Sequence, residues 1–238
     1  MLDDDRSPPR SVLAALPVFP LPNAVLLPGM VLPLNVFEPR YLELVDHALR
    51  NGQHIGVPLL RPGYEACYEK RPDFESVFGV GRLLSHQPLP DGRRFIRLKG
   101  LRRVRVLQEL EARASFREVE VELLPEEPPS DRHQLEVLKA QLERIAGTLR
   151  PDDGQLVSSI LRMADTRLVV YAIAAIVPTL GLMPDLTPAG GRSSLLELQQ
   201  RCLDAETADE RVQTLLECSA LICDELSESG SFPRTMLN

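Results

Sequence analysis

Seven cations stand between Arg93 and Arg105 with no acid among them: Arg93, Arg94, Arg97, Lys99, Arg102, Arg103 and Arg105. Cationic side chains at this density are the groups that take up phosphates. Strand alternation sets Arg97 and Lys99 opposite Ile96 and Leu98, and Arg103 and Arg105 opposite Val104 and Val106. A hairpin with one basic face follows, and Arg93, Arg94, Arg97, Lys99, Arg103 and Arg105 are its candidate ligands for RNA or another polyanion. The rival expectation is a solvated face whose arginine stems cover apolar surface. Aromatic residues make up only 5% of the chain and its formal net charge is −7, which favours the solvated face and makes nucleic acid the weaker partner.

Other chemistry fails on inventory. Only Lys70, Lys99 and Lys139 occur beside 24 arginines, and they follow Glu69, Leu98 and Leu138. A phosphate-cradling loop needs Gly-Lys-Ser/Thr, so an ATPase of that type is excluded. Neither an HExxH helix nor a GxSxG elbow nor an EF-hand loop is present. His47, His54, His86 and His133 are dispersed, and Cys218 and Cys223 lie about 140° apart around a helix, so they do not face one metal together. No CxxC pair exists, and Cys67, Cys202, Cys218 and Cys223 read as reduced thiols. The expectation is a protein without catalytic residues, metal or cofactor.

A second polar constellation is Phe37-Glu38-Pro39-Arg40-Tyr41. Pro39 suits the first position of a helix, where its missing N–H costs nothing. Glu38, just before it, is favoured by the helix dipole and has Arg40 within reach. Phe37 and Tyr41 suit a seam between the helix and a sheet. Phe37, Glu38, Arg40 and Tyr41 are also the candidate contacts for a bound substrate.

The elements that must position these groups are legible in outline. Eight of the 21 prolines fall before residue 40, interleaved with Val, Leu and Phe, which forbids helix and permits short strands broken by turns. Tyr41, Leu42, Leu44, Val45, Ala48 and Leu49 give a helix over 39–50 one apolar stripe, ended by Asn51-Gly52. From Gln53 to Leu124 the pattern is β. Gly79 and Gly81 permit a bulge, Asp91-Gly92 marks a hairpin turn, and Gly100 separates two strands. Pro125–Asp131 reads as a linker. Beyond it Leu135, Leu138, Leu142, Ile145 and Leu149 mark one helix, Asp165 caps an all-apolar second, and Ser194…Glu197 and Thr207…Glu210 fit capping boxes of two more.

The division expected is a tail at 1–10, a β-rich domain at 11–125, a linker at 126–131, a helical bundle at 132–228 and a flexible tail at 229–238. Charge divides likewise: residues 1–124 carry 17 basic against 16 acidic groups, the remainder 10 against 18. The acidic, proline-rich start is unlike a presequence, and the longest apolar run, Leu168 to Val177, is about half a membrane span. A cytoplasmic protein without membrane association is the expectation.

The stretch LPVFPLPNAVLLPGMVLPLNVFEPRYLELVDHAL resembles the N-terminal substrate-binding domain of the ATP-dependent Lon proteases, with the Phe-Glu-Pro-Arg-Tyr box complete at residues 37–41. DGRRFIRLKGLRRVRV is similar to that family's strand–Gly–x–x–Arg–strand segment through Gly100 and Arg103, with Val104 where an aromatic residue is common. The helical tail is similar more loosely, and Ala189-Gly190-Gly191-Arg192 looks like an elaborated loop. The resemblance implies an α+β fold: a PUA-like antiparallel pseudobarrel with one inserted helix, then an all-α bundle. It implies a stand-alone, non-enzymatic module that recognises exposed or unfolded polypeptide in protein quality control. An edge strand, or a groove between barrel and bundle, would hold the extended segment. An adaptor role towards a separate protease or chaperone is the further alternative.

Overall fold

The computed structural model describes residues 7–68, 70–177 and 194–229. They form two compact units. The described residues of Met1–Glu126 and Thr187–Asp204 make one, those of Glu127–Leu186 and Ala205–Asn238 the other. Of the expected tails at 1–10 and 229–238, residues 1–6 and 230–238 lie outside the described residues, as does the Ala189–Arg192 loop, while Arg10 and Ser229 belong to helices.

The first unit holds α1 (Arg10–Leu13), β1 (Leu16–Val18), β2 (Val31–Val36), α2 (Pro39–Arg50), β3 (His54–Val57), a 3-10 turn at Tyr64–Cys67, β4 (Val77–Pro88), β5 (Arg94–Glu109), β6 (Arg117–Leu123) and α6 (Ser194–Asp204). Its six strands form one mixed sheet in the order β2-β5-β4-β3-β1-β6, and β6 pairs back onto β5. Five strands therefore close a ring. Val18 opposite Gly56 makes β1–β3 parallel, an exception to the antiparallel pattern of the other pairs.

Strand β5 does two jobs along its length. Its first half pairs with β2, from Val31↔Lys99 to Val36↔Arg94. Its second half pairs with β6, from Val104↔Leu123 to Glu109↔Val119. Gly100 was expected to separate two strands; it lies instead inside this continuous one. Its lack of a side chain serves a close approach, since a Cβ there would meet Leu27 O at 2.1 Å. Gly79 on β4 does the same for Leu26 O, at 1.8 Å.

Helix α2 spans the expected residues, with Pro39 in its first turn and Gly52 at φ +89° just beyond its end. Tyr41, Leu44, Val45 and Ala48 pack with Val36, Ile55, Ile96 and Leu98. A separate cluster of Leu16, Val18, Phe78, Val80, Val104 and Val119 fills another part of the unit. Helix α6 is fixed to β4 by Gln200, whose Nε2 donates to Val77 O at 2.9 Å.

The second unit holds α3 (Arg132–Ala146), α4 (Pro151–Leu161), α5 (Thr166–Ile176) and α7 (Ala208–Ser229). Asp131 caps α3 and Asp165 caps α5. The Thr207–Glu210 box forms as expected: Glu210 N donates to Thr207 Oγ1 at 3.1 Å, and Glu206 N and Thr207 N donate to the Glu210 carboxylate. α3 ends at Ala146, short of Leu149, and Pro151 opens a helix that the sequence pattern did not announce. No helix among the described residues is long and apolar enough to cross a membrane.

His54 gives the first unit a pH dependence. It is 9% exposed at the start of β3, and its Nδ1 has no hydrogen-bond partner. Burial, then the Arg82 charge, holds its pKa below the ordinary 6.5. The unfolded chain therefore binds a proton at a pH where the folded chain does not. Above the ordinary value the group contributes no slope; stability is lost as pH falls from there through the folded pKa. Urea midpoints measured down from pH 7.5 should decline below about pH 6.5, and His54→Gln should flatten the decline.

Candidate functional site

The Phe-Glu-Pro-Arg-Tyr box sits where β2 hands over to α2, and its polar members are turned on one another. Arg40 Nε and Nη2 reach Glu38 Oε2 at 2.9 and 2.7 Å. Tyr68, which sequence reasoning missed, donates its hydroxyl to Glu38 Oε1 at 2.7 Å from just after the 3-10 turn. The Arg40 guanidinium lies 4.8 Å from the Tyr41 ring centre and 5.2 Å from that of Tyr68. Burial pushes the Tyr41 phenol up to about 12, and burial together with the Glu38 hydrogen bond raises Tyr68. Glu38 and Arg40 thus tie Tyr68, just after the 3-10 turn, to the start of α2.

Phe37 behaves differently. It was expected in the seam with Tyr41; it is 63% exposed, while Tyr41 takes the seam against Phe19. A residue directly after a strand whose last member, Val36, points inward is presented outward, and nothing in the box pulls it back. Of the four candidates it is the most exposed, Glu38 and Arg40 being half-buried and Tyr41 buried.

Among the described residues the fold brings acceptors to all but one of the seven cations of the basic run. Arg93 is held by Asp91 across the hairpin turn, through Nε at 2.7 Å. Arg94 grips both carboxylate oxygens of Asp46 on α2 and holds that carboxyl below the usual range. Lys99 donates to Gly29 O. Arg102 reaches Leu124 O at 3.1 Å, and Arg105 faces Glu122 at 3.7 Å. Arg103, expected on the solvated face, is 1% exposed: it serves Glu126, Pro125 O and Leu203 O, because α6 packs on that part of the sheet. Arg97 is exposed and has no acceptor among the described residues.

Around Arg97 lies the surface with unmet bonding capacity. Among the described residues each of the other named strands has neighbours on both sides, whereas β2 pairs with β5 alone. Gly100 N donates to Met30 O, so the even-numbered residues of β2 bond β5. Val31 and Asn35 consequently aim N–H and C=O away from the sheet, and Pro33 aims its C=O. Pro33, having no N–H, is tolerated at this edge. On one face Leu32 and Leu34 are half-buried against the core. On the other Val31 and Phe95 are each 38% exposed, and a register shift between Leu83 and Ser85 leaves Leu84 53% exposed. The edge status of β2 rests on which distant strands close the ring, and no local pattern encodes that. Among the described residues no group of His, Cys, Asp and Glu could hold a metal ion.

Comparison with known proteins places this architecture. Residues 15–180 match the ATP-dependent protease La (LON) substrate-binding domain. The Lon protease of Cytophaga hutchinsonii is 31% identical over 135 residues, which is 56% of this chain and 16% of that protein. The chain therefore spans about a sixth of that relative's length. The N-terminal domain of a Mycobacterium avium complex Lon protease superposes with a TM-score of 0.63 over 87% of this chain and 98% of its own, at 18% identity, a likeness of fold. The Lon N-terminal domain protein of Xanthomonas campestris gives a TM-score of 0.51 at 28% identity, covering 85% of this chain and 97% of its own. The chain belongs to the Lon substrate-binding domain family and is, at the level of that family, a substrate-binding module.

Proposed function

We propose that this chain binds exposed or unfolded polypeptide segments in extended form, by strand addition to the free edge of β2, and performs no catalysis on them. The observation that carries the reading is the strand paired on one side only, with Val31 and Asn35 offering main-chain groups outward. Main-chain hydrogen bonds are indifferent to sequence, which suits a module that meets many substrates. Half-buried Leu32 and Leu34, with exposed Phe37 at the strand's end, give an added segment apolar surface to cover. The missing donor at Pro33 keeps the edge from pairing strongly with another sheet, so a bound segment comes off again. Against a polyanion ligand stands the company the cations keep: Asp46, Asp91, Glu122 and Glu126 share the run's charge.

A blocked, labelled peptide of the pattern Thr-Val-Glu-Val-Thr should bind the full chain weakly, in the micromolar range, by fluorescence anisotropy. N-methylation of the two amides that face β2 should reduce affinity about tenfold, since each hydrogen bond contributes about 0.5–1.5 kcal/mol. Equal affinity for the methylated peptide would remove strand addition as the mode of binding.

A further inference from the structure

We propose that the segment accepted by the β2 edge carries a carboxylate side chain opposite Pro33, taken by Arg97, and apolar side chains on either side of it. This inference rests on the edge reading above and adds to it a chemical class of substrate: an alternating apolar–acidic–apolar strand.

The seven cations from Arg93 to Arg105 supply the contrast. Arg93, Arg94, Arg103 and Arg105 face Asp91, Asp46, Glu126 and Glu122, while Lys99 and Arg102 donate to main-chain carbonyls. Arg97 is exposed and has no acceptor among the described residues. It stands opposite Pro33 on β2 and Ser85 on β4. Ile96 and Leu98 beside it are fully buried, so alternation turns Arg97 to the outer face.

A strand added to β2 lies two strand spacings from β5, about 9.6 Å. An arginine extended across the sheet and a glutamate reaching back close that gap, and Pro33 between them presents an apolar ring with no competing charge. The arginine stem has apolar surface to lie on. A lysine at the same place in the segment meets a like charge with no acid on the outer faces of Val31, Pro33 and Asn35 to offset it. The neighbouring residues of the segment point to the other face, beside Leu32 and Leu34, where apolar side chains continue the core.

The test compares blocked, labelled Thr-Val-Glu-Val-Thr with Thr-Val-Lys-Val-Thr on the full chain at low salt, and repeats both with Arg97→Glu and Arg97→Gln. The glutamate peptide should bind about fivefold tighter, as exposed ion pairs allow. Arg97→Gln should abolish the preference and Arg97→Glu should invert it, with the preference shrinking as salt is raised. Circular dichroism of the variants should match the parent, since Arg97 is exposed. Equal affinity for the two peptides, or a preference unmoved by Arg97→Glu, overturns the carboxylate assignment while leaving N-methyl sensitivity to uphold the edge. Binding of neither peptide overturns both.

Discussion

Arg103→Ala should lower folding stability by about 3–5 kcal/mol, the range for removing one partner of a buried ion pair. The side chain is 1% exposed and donates in three directions: Nε to Glu126 Oε1 at 2.9 Å, Nη1 to Leu203 O at 2.6 Å and Nη2 to Pro125 O at 2.9 Å. One guanidinium thus ties β5 to the chain leaving the sheet at Pro125–Glu126 and to the C-terminal turn of α6. Truncation takes the cation from a Glu126 carboxylate that is itself only 10% exposed, and takes a donor from two carbonyls. Arg103→Lys keeps the charge but loses the planar fork that serves three acceptors, so its loss should be smaller and still clear. Glu126→Gln in the Arg103→Met background should recover part of the stability, because the carboxylate is then no longer desolvated without its cation. Urea unfolding of the four proteins decides it. A loss under about 1 kcal/mol for Arg103→Ala would mean that water reaches Glu126 and the carbonyls at little cost.

The same residue shows where sequence reading stops. Where several local signals coincide, expectation and structure agree. Proline opening, apolar stripe and Asn-Gly ending are all contained within residues 39–52, and α2 occupies that stretch. Asp91-Gly92 makes its turn with Gly92 at φ +86°. A run of cations is different, because what it does depends on acids that are local only in space. Asp46 lies 48 residues from Arg94 and Glu126 lies 23 from Arg103. Alternation placed Arg103 outward, but α6, nearly a hundred residues on in sequence, covers that part of the sheet. Phe37 differs from expectation for a related reason. An aromatic beside a helix start reads as core, yet the outward phase of β2 carries it into solvent. α4 escaped notice because its first turn is Pro-Asp-Asp-Gly, a turn-like composition; Gly154 sits there because a Cβ would meet Ala146 O at 2.8 Å. Of the candidate residues, sequence spacing picks out the 37–41 box and the cations, but not which of them stay exposed, nor Tyr68 and the β2 edge, because those depend on contacts distant in sequence.

The largest loss of binding should follow from the glycines behind β2. Gly79→Ala and Gly100→Ala each place a methyl against backbone, 1.8 Å from Leu26 O and 2.1 Å from Leu27 O. A flexible side chain could swing away; a carbonyl in a packed segment cannot, and Leu26 and Leu27 are essentially inaccessible to water. Each substitution should cost about 3 kcal/mol or more, the upper end for overpacking a core. Gly92→Ala supplies the contrast. It is strained by φ +86° but meets nothing within 4 Å, so it should lose only about 1–2 kcal/mol. The double variant Gly79→Ala/Gly100→Ala should lose less than the two singles together, because the first methyl to expel the Leu26–Leu27 segment makes room for the second. Function goes with it. Gly100 N holds Met30 O and Gly100 O holds Gly29 N, so displacing this segment unpins the residues that lead into Val31. Peptide affinity should therefore fall in Gly100→Ala even at temperatures where the chain stays folded, while Gly92→Ala binds as the parent does. Unchanged peptide affinity in a folded Gly100→Ala protein would separate the β2 edge from its support and place the binding surface elsewhere on the unit.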